Sequence, residues 1–85
     1  MNIVKLDRRY TGSDQFKFCI EFNWLESKKF VDVREWCWEL YGASAEINYA
    51  RQHYKDAKYA WMSDNSLRIY LKSNEELQWF ILRWQ

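Results

Sequence analysis

The stretch Phe16-Lys17-Phe18-Cys19-Ile20-Glu21-Phe22-Asn23-Trp24 decides the fold. Apolar residues stand at 16, 18, 20, 22 and 24, with Lys17, Cys19, Glu21 and Asn23 between them. Strand side chains alternate across a sheet, so this period of two predicts a half-buried strand over 16–24. Its aromatic face points inward and its more polar face points out or toward a neighbour.

The flanking sequence supplies the partners that such a strand needs. Upstream, Thr11-Gly12-Ser13-Asp14-Gln15 reads as a turn, because Gly12 tolerates positive φ and Ser13 and Asp14 can bond their own backbone. Residues 1–10 alternate weakly, with Val4 and Leu6 on one side and Lys5 and Asp7 on the other. They predict a short edge strand that leaves Arg8 and Arg9 in solvent.

Downstream, Ser27 is placed to cap a helix over 28–41. Phe30, Val33, Cys37, Leu40 and Tyr41 recur every three or four residues as one apolar stripe, Trp36 borders it, and Gly42 ends the helix. Trp38 lies off that stripe, beside Val31 and Arg34. Residues 43–58 fit two patterns. Ile47, Tyr49 and Arg51 alternate as in a strand, while Ala45, Tyr49, Gln52 and His53 would share a helix face. The reading taken is a short strand near 46–52.

Residues 59–72 read as a hairpin, with strands 59–62 and 67–72 around the turn Ser63-Asp64-Asn65-Ser66. Leu67, Ile69 and Leu71 then face the core, opposite Arg68, Tyr70 and Lys72. Ser73 and Glu76 form the Ser-x-x-Glu pattern of a capping box. Leu77, Phe80, Ile81 and Trp84 follow as a helical stripe, although Phe80, Leu82 and Trp84 also alternate as a short strand would. The assembled order is β-α-β-β-β-α, with an extra edge strand at the N-terminus, in a single domain of residues 1–85. The predicted class is α+β: a small two-layer sandwich, ferredoxin-like, with two helices on one face of an antiparallel sheet.

Composition narrows the function. Among 85 residues 20% are aromatic and 29% are charged, with a net charge of +1. That balance lacks the basic excess of most domains that live on nucleic-acid phosphates. It also lacks the acidic excess of a nucleic-acid mimic. Cys19 and Cys37 both sit in apolar segments and are expected to be buried thiols in a reducing cytoplasm. No signal-peptide core and no apolar run near ~20 residues is present, so no membrane partner and a cytoplasmic location are expected.

Two stretches carry a resemblance. The first is Phe30-Val31-Asp32-Val33-Arg34-Glu35-Trp36-Cys37, continuing to Tyr41-Gly42. The second is Ile69-Tyr70-Leu71-Lys72-Ser73 with Trp79-Phe80-Ile81-Leu82-Arg83-Trp84. Together they resemble small accessory proteins encoded by tailed bacteriophages. The resemblance implies a genomic setting, a bacterial host cytoplasm or a virion, and a host or phage protein as partner. It implies no chemistry.

Reactive constellations are sparse. His53 is the single histidine, and the cysteines lie 18 positions apart without a C-x-x-C pair, so no metal or cofactor is expected. A Cys–His nucleophile could be drawn only from Cys37 or Cys19 with His53, and nothing marks an oxyanion hole. Two isolated glycines exclude a phosphate-binding loop. The leading expectation is therefore a non-catalytic protein-interaction module. Its contact candidates are Trp38, Trp79, Arg34 and Arg83, and a homodimer contact is one form it could take. The alternative is a single-stranded nucleic-acid-binding protein that uses an open sheet face with Lys17, Arg68, Tyr70, Lys72 and Trp61.

Overall fold

A computed structural model describes residues 1–85. The elements in chain order are β1 (Asn2–Lys5), β2 (Phe18–Phe22), a 3₁₀ turn (Trp24–Glu26), α1 (Ser27–Tyr41), α2 (Ile47–His53), β3 (Tyr59–Met62), β4 (Leu67–Leu71) and α3 (Asn74–Trp84). The four strands form one antiparallel sheet in the order β1-β2-β4-β3. The protein is thus α+β, with β1 and β3 as the two edges. No helix is long and apolar enough to cross a membrane.

Strand alternation sorts the core into two clusters. In the larger, Ile20 and Phe22 of β2, Tyr59 of β3 and Leu67, Ile69 and Leu71 of β4 meet Phe30, Val33 and Cys37 of α1 and Leu77 and Phe80 of α3. In the smaller, Cys19, Ala60 and Tyr70 meet Phe16 and the α2 residues Ile47 and Ala50. Burying each large apolar side chain is worth about 1.5–3 kcal/mol, so the larger cluster dominates stability.

Several expectations change. The strand is shorter than 16–24. Phe16 precedes it and joins the smaller cluster, while Trp24 begins the 3₁₀ turn and is exposed. Cys19 is buried although it lies between the aromatics, because α2 covers that side. The expected strand near 46–52 is α2. Glu46 caps it by accepting from the Asn48 N–H, and its only sheet-like feature is an isolated bridge from Glu46 to Trp61. With the N-terminal strand present as β1 and the expected strand near 46–52 replaced by α2, the order is β-β-α-α-β-β-α.

Caps also move. Ser27 is the first residue of α1 rather than its cap. The capping box is formed upstream, where Asn23 Oδ1 accepts from the Glu26 N–H and Glu26 Oε1 accepts from the Asn23 N–H. At α3, Ser73 Oγ donates to the Glu76 carboxylate at 2.8 Å instead of capping the backbone. The last residues are helical through Trp84, which settles the strand alternative against it. Gly12 holds φ +90 inside the protein, and a Cβ there would lie 2.9 Å from Ile47 Cδ1. Only glycine lets that turn press against α2.

Candidate functional site

Helices α1 and α3 each turn one flank into the larger cluster and leave another flank outside it. On α1, Trp36 and Leu40 are one helical turn apart; on α3, Trp79 and Leu82 are three residues apart. These four side chains and Arg83 line a groove of about 330 Å³. Trp79 is 53% exposed, Leu82 77% and Leu40 49%. Leu40, expected in the core stripe, is the residue that sequence reasoning placed on the wrong side. The stripe is complete with Phe30, Val33, Cys37 and the partly buried Tyr41, so Leu40 is spare.

The groove has a charged margin. Asp32, Glu35 and Glu39 line a depression together with Trp36, Arg83 and Trp84. Asp32 pairs with Lys28 at 3.2 Å, whereas Glu35 and Glu39 take part in none of the molecule's ion pairs. Arg83 is likewise without a carboxylate, and its guanidinium lies over the Trp84 ring at 4.4 Å from the centroid. Trp36 and Trp84 meet edge to face at 6.1 Å, which ties the floor of the groove to the core below.

Trp38 belongs to a different place. It lines a smaller recess with Arg34, Glu35, Ser44 and Trp61, and Arg34 lies over the Trp61 ring at 4.6 Å. Trp38 is 55% exposed, so neither it nor Trp79 is enclosed. The structure thus brings Trp79 and Arg83 together and Trp38 and Arg34 together, but on separate recesses. Trp36, Leu40 and Leu82 are the groove residues that the sequence left unclaimed. Their signal was present: pairs at i,i+4 and i,i+3 that fall outside the stripe already needed for the core.

The residues proposed for an open sheet face are dispersed. Tyr70 is 1% exposed, packed against Phe16, and burial raises its phenol pKa. It cannot stack a base. Arg68 pairs with Glu21 directly opposite on β2 at 3.3 Å. Trp61 packs against the larger cluster, whereas Tyr70 belongs to the smaller. Lys17 and Lys72 remain together at one end of the sheet, where Lys17 is exposed and Lys72 half-buried.

The thiols are held away from reaction. Cys19 and Cys37 sit in the two different clusters, and burial pushes each thiol up to about 12. His53 is exposed and rests on Tyr49, ring centroids 4.2 Å apart. The largest recess, about 590 Å³, lies between the start of α2 and the hairpin turn and is polar except for Met62.

In comparison with known proteins, the chain matches no family model, no curated protein and no solved structure.

Proposed function

We propose that the protein is a non-catalytic interaction module whose α1–α3 groove takes an amphipathic, cationic segment of another protein. The observation that carries this reading is the exposed trio Leu40, Trp79 and Leu82 around the partly buried Trp36, beside the unpaired Glu35 and Glu39. Apolar anchors of a helix, spaced at i, i+3/i+4 and i+7, fit a groove between two helices. The aromatic floor supplies desolvated contact area, and the carboxylates favour lysine or arginine at the edge of the incoming segment. Trp38 and Arg34 form a second contact point on the other flank of α1.

The scaffold is read as ferredoxin-like with both long helices on one face. Support comes from the β1-β2-β4-β3 order, from a β2-to-β3 connection that passes over β4, and from the core shared by α1 and α3. Its outer strand comes from the start of the chain instead of following α3. The proposed setting is that of a tailed-phage accessory protein acting on a host or phage protein in the bacterial cytoplasm.

The test is a tryptophan-fluorescence titration with two designed amphipathic helices, one patterned in leucine and lysine and its counterpart in leucine and glutamate. The lysine peptide is expected to bind in the micromolar range, and the double variant Trp79→Ala, Leu82→Gln to lose that binding. Equal binding of both peptides, or of neither, overturns the reading. A dimer in sedimentation velocity that the same variant dissolves would reassign the groove to a second copy of the chain.

A further inference from the structure

At one end of the sheet, cations outnumber carboxylates. Lys72 directly follows β4, and Lys58 directly precedes β3. The register pairs Tyr59 with Leu71, so Lys58 stands opposite Lys72, and the Lys72 N–H donates to the Lys58 carbonyl at 3.0 Å. On the other side, the Lys17 N–H donates to the Leu71 carbonyl at 3.0 Å. Three adjacent strand ends thus carry three lysines. Like charges directly opposite on neighbouring strands destabilise a sheet.

The C-terminal end of α2 adds more charge. Arg51, Lys55 and Lys72 line a recess of about 340 Å³ with Asp14 and Gln15 and with no apolar residue. Lys72 Nζ donates to the Lys55 carbonyl at 2.8 Å, which holds its ammonium over this recess. Asp14 is already engaged by Arg51 at 3.2 Å. Lys17, Lys55, Lys58 and Lys72 occur in none of the ion pairs. Folding alone gives no reason for this arrangement; an anionic ligand does.

Exposed aromatics stand at its margin. Gln15 Nε2 donates to the Tyr54 carbonyl at 2.9 Å, so Tyr54 borders the recess. Tyr49 lies 6.0 Å from Tyr54, centroid to centroid, and both rings are exposed. Cations that track a phosphate backbone beside rings that stack bases are the two parts of a single-strand binding surface. A duplex hides its base faces, and an acidic peptide has none. We propose that this end of the sheet, with Arg51, Lys55, Lys58 and Lys72, binds the phosphates of a single-stranded nucleic acid whose bases rest on Tyr54 and Tyr49. The site is separate from the α1–α3 groove and does not depend on it.

Fluorescence anisotropy with labelled oligo-dT and oligo-U of about 15 nucleotides tests this, a length within single-fold site sizes. Binding is expected at low salt, with log K falling against log salt at a slope of about −2 to −3 for three or four phosphates. The triple variant Lys55→Gln, Lys58→Gln, Lys72→Gln should bind at least tenfold more weakly and lose about 2 from that slope. The arginine version of the triple variant should restore binding. Tyr54→Ala should weaken binding about tenfold and leave the slope alone. On the unmodified protein, amide shifts on adding oligo-dT should centre on Lys55, Lys58 and Lys72. No binding at low salt, an unchanged triple variant, or shifts elsewhere would overturn the site. Displacement by polyglutamate or by a duplex as effectively as by a single strand would overturn the ligand.

Discussion

The two sides of the sheet are built from alternate residues of the same strands, yet they present unlike surfaces. Eleven buried residues make the cluster that includes residues of α1 and α3, and six make the cluster that includes residues of α2. A helix of fifteen or eleven residues has more than one flank, so α1 and α3 fill the core with one and keep an apolar flank to spare. The seven-residue α2 has little surplus: its one exposed apolar ring, Tyr49, rests on His53. Of α2 only Ile47 and Ala50 are buried, and its surroundings are polar and cationic. The lesson is that helix length decides where an aromatic-rich chain puts its excess: apolar groove on one side, charge on the other.

The sharpest way to break the comparison is to remove part of the larger cluster. Deleting residues 80–85 takes away Phe80, which is fully buried, and the partly buried Ile81 and Trp84 packed against that cluster. Loss of a buried phenylalanine side chain alone costs about 3–5 kcal/mol, against a total of roughly 5–15 for a domain. The truncated chain should show no cooperative thermal transition by circular dichroism; a normal melt would refute the assignment of the main core to this side.

The smaller cluster should yield less. Gly12→Ala puts a Cβ 2.9 Å from Ile47 Cδ1 at a φ of +90, combining backbone strain with overpacking. The expected loss is about 2–4 kcal/mol in urea unfolding, with a retained two-state transition. A change under about 0.5 kcal/mol would mean that the 11–15 turn does not clamp α2.

The cysteines report on each side separately. Both thiols are pushed up to about 12 by burial, so both should resist a thiol reagent in the native state at pH 8. Cys19, under the short helix, should label several-fold faster than Cys37, because the smaller cluster opens more readily. Equal rates would show that the two sides open as one unit. The same raised values carry a pH sign. The neutral thiols contribute stability that is intact below the ordinary thiol value of about 8.5 and is lost as pH rises toward 12. The melting temperature should fall above about pH 9; burial also raises the phenols of Tyr41, Tyr59 and Tyr70, which add to the fall, so Cys19→Ala, Cys37→Ala should lessen it without abolishing it.

The smallest expected stability effect is at the groove itself. Trp79→Ala removes a half-exposed ring, so its unfolding free energy should stay within about 0.5 kcal/mol of the parent while peptide binding is lost. A drop of several kcal/mol would make Trp79 a core residue and remove its role as a contact.

The elements that could be read from the sequence are those with long, repeated patterns. The core of the β2 strand, the α1 stripe through Phe30, Val33 and Cys37, the hairpin and the closing helix all follow from periodicity. What could not be read has physical causes. Helix α2 buries two residues only, too few to set a period, and the alternation of Ile47, Tyr49 and Arg51 imitates a strand. Phe16 keeps the phase of the strand in sequence but leaves it in space, because the chain is already turning. Tyr70 looked exposed since nothing in β4 itself announces that α2 covers it. Trp79 and Arg83 were legible as an outer flank of α3, but their neighbours Trp36 and Leu40 come from a helix more than thirty residues away. Pairing between distant flanks is a tertiary fact that no local pattern carries.

The central claim is that the spare flanks of α1 and α3 form the docking surface. An amide and indole NMR titration with the leucine–lysine peptide tests it most directly. The account predicts shifts concentrated at the indoles of Trp36 and Trp79 and the amides of Leu40, Leu82 and Arg83, with α2 left unperturbed. Shifts centred on α2 and the lysines at the sheet end, or no shifts at millimolar peptide, would contradict it.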